Sequence, residues 1–262
     1  MTEEERAPEE HQDKSAGRVQ RRAARALAEA EERKRRAEPP DARTYALAQV
    51  ISRGIFGLCT GEKAIGRDRV PREGPLLIVA NHLSYLEPPL LAAIIPRRIT
   101  FLAGHELYEI PWLAPILRAM GALPVRRGGM RDLEALRAAV TLLKQGEAVA
   151  LFPEGRISLE PGLERAKPGL SLLAQRSGAQ ILPVGISGTD RLDRVGSFLT
   201  ARWRQPRVRV QIGRPFTPDF STGRPDHQAV ADDVMARIAA LLPARYRGEY
   251  RVGGRQSADS RE

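Results

Sequence analysis

The chain opens on a stretch with almost no apolar pattern. From Gly17 to Ala37 only Val19 and Leu27 are large and apolar, while Glu29/Arg33, Glu31/Arg35 and Glu32/Arg36 are spaced to pair on a helix. Such a helix has no face to bury. Residues 1–43 are therefore expected to form a charged, solvated or frayed arm, ended by Pro39-Pro40. From Thr44 the pattern changes: Leu47, Val50, Ile51, Ile55 and Leu58 recur at helical spacing, with Gln49, Ser52 and Arg53 opposite. This predicts an amphipathic helix over 44–60. Its apolar stripe suits either the domain's own core or a bilayer interface, and the pattern does not choose between them.

The body of the chain alternates two periods. Nearly unbroken apolar runs at Pro75–Ala80, Ile99–Ala103, Ala122–Val125, Ala148–Phe152 and Gln180–Ile186 predict strands covered on both faces. Between and after them lie helical patterns at Pro111–Met120, Asp132–Lys144, Gly169–Ser177 and Asp226–Leu242. The alternation predicts an α/β domain over 44–243, with a mostly parallel sheet flanked by helices. In Arg207–Ile212 the alternation is strict, which predicts a half-exposed edge strand. Residues 244–262, charged and containing Gly and Ser, are expected to be a disordered tail.

Composition narrows the class. With 262 residues, 42% hydrophobic and 28% charged, the chain fits a globular domain. One cysteine, Cys59, offers neither an internal disulfide nor a thiolate cluster, and no metal is expected. No window reaches the roughly 18 consecutive apolar residues of a membrane span, and the acidic start lacks the order of a secretory leader. The formal net charge is +10. Acidic and basic side chains balance over 1–43, so the whole excess belongs to the remainder. A nucleic-acid partner is not expected, because aromatics at 5% offer few stacking platforms and none lies in a basic run.

Three stretches carry chemistry. His82 follows the first apolar strand directly, and strand carboxyl ends are where ligands bind in α/β sheets. Glu87 lies five residues on. On one continuous helix the two side chains would point about 140° apart, but Pro88-Pro89 forces the helix to begin near Glu87. Asn81 to Leu86 is then a turn that can fold the carboxylate onto the imidazole, fixing its tautomer and leaving the other nitrogen as a general base. Phe152-Pro153-Glu154-Gly155-Arg156 follows another strand, with a glycine suited to close approach and an arginine fork suited to phosphate. Arg126-Arg127 before Gly128-Gly129 is a second candidate anion site. His105 follows a strand as well. A G-x-S-x-G elbow is missing, which disfavours a covalent serine mechanism.

In order, Asn81-His82…Glu87, Gly121…Arg127, Phe152-Pro153-Glu154-Gly155 and Ile181-Leu182-Pro183-Val184 resemble the four blocks of the glycerolipid (lysophospholipid) acyltransferase family, which includes bacterial 1-acylglycerol-3-phosphate acyltransferases. The resemblance covers roughly Gly66 to Ile212. It departs where the family's usual Asp is Glu87, and where Ile157 takes the place of an Arg. The resemblance implies His82 as catalytic base with Glu87 as partner. It places the substrate at Asn81, Arg126, Arg127, Glu154, Gly155 and Arg156. It implies no cofactor beyond an acyl thioester co-substrate, on coenzyme A or acyl carrier protein, and a lysophospholipid acceptor. It also implies a cytoplasmic enzyme, peripheral on an anionic membrane surface at the inner face of the plasma membrane. The leading expectation is acylation of lysophosphatidic acid to phosphatidic acid. The alternatives are another lysolipid or amphiphile as acceptor, or an inactive lipid-binding relative.

Overall fold

The computed structural model describes residues 42–60, 63–111, 114–125, 130–158, 162–192, 208–221 and 226–251. The arm expected over 1–43 lies outside them except for its last two residues, as do Arg126, Arg127 and Arg207.

Among the described residues seven strands form one sheet: β1 (Lys63–Ile65), β2 (Leu76–Ala80), β3 (Ile99–Gly104), β4 (Leu123–Val125), β5 (Ala148–Leu151), β6 (Gln180–Ser187) and β7 (Arg209–Ile212). Their order is β1-β7-β6-β2-β5-β3-β4. All neighbours are parallel except β6 and β7. The apolar runs become the central strands for the expected reason. Every residue of β2 and of β5 is buried, because helices cover both sheet faces. One face packs β2, β3 and β7 residues against α2 (Glu87–Ile94), with Leu90, Leu91 and Ile94 in the core. The other packs Leu77, Val79, Val149 and Ile181 against α4 (Met130–Lys144), α5 (Gly169–Ser177) and α6 (His227–Leu241). A short helix, α3 (Ala114–Ala119), precedes β4.

Two expectations are corrected. The strand expected at 207–212 is not the edge: β7 lies between β6 and β1. Its alternation arises because Val208, Val210 and Ile212 face the core while Arg209 is exposed, so it reports an uncovered face rather than an unpaired edge. The edge strand β1 has three residues, too few to carry a period. Nor does the tail start at 244. Tight 3-10 turns span Ala244–Tyr246 and Gly248–Tyr250, and Tyr246 is 1% exposed in the core. One large aromatic among arginines gives no periodic signal, yet it anchors this segment.

The first helix, α1 (Ala42–Thr60), packs chiefly on α2. It docks by the side the sequence marks as polar. Gln49 Nε2 donates to the Ala92 and Ile95 carbonyls at 2.7 and 3.1 Å, and Arg53 Nε donates to Ala93 at 3.1 Å. These acceptors are carbonyls at the carboxyl end of α2, which need partners. Tyr45 and Phe56 are buried on the same side. Leu47, Val50, Ile51, Ile55 and Leu58 are consequently turned outward, 43–68% exposed. None of the helices in the described residues is long and apolar enough to cross a membrane.

Candidate active site

The carboxyl ends of β2, β5 and β6 lie side by side, since β2 pairs with both neighbours. The loops leaving them meet at His82. Its Nδ1 lies 2.7 Å from Glu87 Oε2, with the imidazole side chain 13% exposed and the Glu87 side chain fully buried. The geometry follows from the turn. Glu87 is the first residue of α2, its N–H donates to the Ser84 carbonyl, and its carboxylate folds back to accept the Leu83 N–H on both oxygens at 3.0 and 2.9 Å. Thr189, at the end of the β6 loop, donates to the other oxygen, Oε1, at 2.6 Å. A buried carboxylate is tolerable only when its lone pairs are occupied in this way.

His82 is held from every other side too. Its N–H donates to Glu154 Oε1 at 3.3 Å, and its carbonyl accepts from Ser158 N–H at 2.9 Å. Its ring stacks on Phe152 with centroids 4.0 Å apart and planes 15° from parallel. Backbone, Nδ1 and one ring face are thus fixed, and Nε2 is the nitrogen left to face a substrate. An imidazole locked in this way is preorganised for proton transfer.

Two residues expected to touch substrate have other work. Asn81 is 1% exposed, donates to the Ile186 carbonyl at 2.9 Å and accepts the Ile186 N–H at 2.7 Å. Its amide closes the ladder between β2 and β6 beyond the last strand pair, so it faces the sheet and not the solvent. Glu154 is likewise buried, bonded to the His82 N–H and to the Ser158 hydroxyl. Burial pushes its carboxyl up to about 7, against the lowering effect of those bonds. It braces the histidine backbone instead of reaching outward.

Gly155 and Arg156 lie at the surface of the same turn. Gly155 has φ +71°, a conformation costly for other residues. Its N–H donates to Phe152, so it is not aimed at an anion. What the missing side chain leaves is room for Lys167, whose Nζ would stand 3.0 Å from a Cβ there. Arg156 is exposed and paired with Glu164 through Nε and Nη2, at 2.9 and 2.8 Å. An exposed pair of this kind is worth roughly 0–1 kcal/mol, little enough for a dianionic phosphate to displace. His105 lies in the 3-10 turn His105–Glu109 after β3. No group of three or more His, Cys, Asp or Glu among the described residues is placed to hold a metal.

Four contributors escaped the sequence reading: Phe152 as a stacking partner, Ser158, Lys167 and Thr189. Phe152 and Ser158 lie in or beside a recognised block. Lys167 is twelve residues beyond Gly155, and Thr189 lies 102 residues from its partner with no periodic signal.

The parallel strand ends of the sheet thus present a locked His–Glu pair, and comparison with known proteins gives it a context. Residues 63–187 match the acyltransferase family model. It is 30% identical over 148 residues to the 1-acyl-sn-glycerol-3-phosphate acyltransferase of Neisseria meningitidis serogroup B, covering 56% of this chain and 57% of that one. With the same-named protein of Borreliella burgdorferi it shares 27% over 126 residues, 48% and 50% of the two chains. The matches therefore span little more than half the length of these curated relatives. The crystal structure of the 1-acyl-sn-glycerophosphate acyltransferase from Thermotoga maritima has the same fold. Its TM-score is 0.59 at 24% identity, over 75% of this chain and 78% of that one.

Proposed function

We propose that this protein transfers a fatty acyl group from an acyl thioester to the free hydroxyl of lysophosphatidic acid, giving phosphatidic acid, with His82 as general base. The carrying observation is the 2.7 Å contact between His82 Nδ1 and the buried Glu87 carboxylate. It fixes the tautomer in which Nε2 is the acceptor and lets the carboxylate stabilise the imidazolium once formed. His82 Nε2 takes the acceptor's hydroxyl proton as that oxygen bonds to the thioester carbonyl carbon. The tetrahedral intermediate collapses with cleavage of the carbon–sulfur bond, and the imidazolium returns its proton to the departing thiolate. Coenzyme A and acyl carrier protein are both suitable carriers for this chemistry.

The names carried by the relatives support lysophosphatidic acid as acceptor. Lys167 and Arg156 at the Phe-Pro-Glu-Gly turn would meet its phosphate, with Arg156 released from Glu164; Arg126 and Arg127 are expected to add to them. A peripheral position on an anionic membrane surface, at the inner face of the plasma membrane, is supported by α1, which turns five apolar side chains outward while its polar side docks.

The test is thiol release and lipid product formation by wild type and H82A, with acyl-CoA and acyl-acyl carrier protein as donors. H82A should fall to background with the active donor. Transfer at the wild-type rate by H82A would overturn the mechanism. Lysolipid binding by wild type without thiol release from either donor would identify an inactive lipid-binding relative.

A further inference from the structure

We propose that Thr189 is a positioning residue for acyl transfer, and that the C-terminal turn holds it in place through Tyr246. The inference rests on the reading of His82 as base and Glu87 as its partner.

A carboxylate turns easily about its last torsion, which is broad and roughly two-fold. One oxygen must nevertheless stay aimed at His82 Nδ1. Leu83 N–H contacts both oxygens almost equally, at 3.0 and 2.9 Å, so it does not choose between them. Thr189 does. Its hydroxyl donates to Oε1 alone, at 2.6 Å, which leaves Oε2 for the imidazole. Thr189 is itself fully buried, so its hydroxyl has no water to turn to. Glutamate has one more torsion than aspartate, and this second anchor removes the freedom which that torsion adds.

Thr189 can reach Glu87 because Gly188, at φ +91°, reverses the chain after β6. The reversal is clamped from the other end of the sequence. The Tyr246 hydroxyl accepts the Gly188 N–H at 3.2 Å and donates to Asp190 Oδ1 at 2.7 Å, so one phenol grips both neighbours of Thr189. Arg245 Nη2 donates to the same phenol at 2.8 Å, with its guanidinium 4.6 Å from the ring centre. Burial and the Asp190 carboxylate both favour the protonated phenol, which therefore keeps its donor. The same turn is tied to the segment behind the Phe-Pro-Glu-Gly loop: Leu163 N–H donates to the Tyr246 carbonyl and Glu249 N–H to the Leu163 carbonyl, both at 3.1 Å. Residues 244–250 thus brace two of the three loops that build the site.

The experiment measures kcat and KM for the full-length chain carrying T189V, T189S, Y246F or T189V/Y246F, beside H82A. T189V should lower kcat about 10- to 100-fold with both KM values within threefold, and T189S, which keeps the hydroxyl, should stay within threefold of wild type. Y246F should lower kcat about 3- to 10-fold alone and add nothing in the T189V background, because it acts through Thr189. Turnover of T189V within threefold of wild type, a loss that T189S fails to avoid, or a Y246F effect that multiplies fully onto T189V would overturn the proposal. If T189V does not fold, Y246F and T189S decide it: wild-type kcat in Y246F, or a T189S loss beyond threefold, refutes it. An H82A protein with full turnover would instead remove the reading on which the proposal stands, whereas silent H82A beside active T189V removes the proposal alone.

Discussion

Replacing Leu47, Val50 and Leu58 together with serine removes the most exposed part of the α1 stripe. These side chains are 62%, 66% and 68% exposed. At 100° per residue the five outward apolar positions fall within about 140° of arc, opposite Tyr45, Gln49 and Phe56. Fully burying a valine or leucine is worth roughly 1.5–3 kcal/mol. With about two-thirds of that surface still open, and an interfacial helix only partly immersed, about 1 kcal/mol per side chain is available. The triple variant should therefore lose about 3 kcal/mol of membrane affinity, or about 100-fold in partition coefficient. The assay is co-sedimentation with vesicles containing phosphatidylglycerol, alongside a thermal melt. The melt should hardly move, since exposed substitutions of this kind stay within about 0.5 kcal/mol. Acyl transfer should fall on vesicle-borne lysolipid and persist on detergent-dispersed lysolipid. A partition coefficient within threefold of wild type would refute the assignment of this face to the bilayer.

Glu87→Gln keeps the shape of the side chain but loses its charge, and should reduce kcat about 100-fold or more in the thiol-release assay; Glu87→Asp, still anionic, should lose less. Asn81→Ala strands the buried N–H and C=O of Ile186, each costing about 1–3 kcal/mol, so the melting temperature should fall by roughly 5–15 °C in calorimetry. Glu154 makes stability depend on pH in a direction opposite to an ordinary ion-paired carboxylate. Its folded-state pKa, about 7, is above the ordinary 4.5, so the folded chain holds the proton more tightly. Its contribution is full below about 4.5 and is lost as pH rises through about 7, a swing of about 3 kcal/mol at most. Urea melts of wild type and Glu154→Gln across that window should show the wild-type decline and its absence in the variant; parallel declines would contradict the assignment.

How far the sequence foretells this structure depends on whether a feature is periodic. Strands β2, β5 and β6 stand out because burial on both faces demands unbroken apolar runs, and their carboxyl ends mark the site. The start of α2 was readable because Pro88 and Pro89 tolerate only the first turn of a helix. The orientation of α1 was not. An apolar stripe on a helix beside an α/β core normally turns inward, and here two polar side chains, Gln49 and Arg53, dock it the other way by capping carbonyls on α2. The roles of Asn81 and Glu154 were inverted for a related reason. A polar residue at a strand end looks the same in sequence whether it meets a ligand or satisfies a neighbouring backbone, and only burial separates the two.

The glutamate at position 87 shows how the levels connect. In the resembled family an aspartate holds this place, and a longer acid at the same spacing would overshoot an imidazole fixed by the backbone. Two features absorb the extra methylene. Glu87 starts α2, so its side chain can fold back across the preceding turn to Leu83 and not project along the helix. The carboxylate then rests against Thr189, from a loop that a glycine and a buried tyrosine hold in position. With His82 pinned by Glu154, Ser158 and Phe152, neither partner of the 2.7 Å contact is free to drift. On the proposed mechanism the substitution is therefore a change in how the pair is supported, with the proton chemistry left to the same two groups. Shortening residue 87 to aspartate without altering the loop moves the carboxylate away from Thr189 or from His82, and for that reason aspartate at this position should be the weaker residue in this chain.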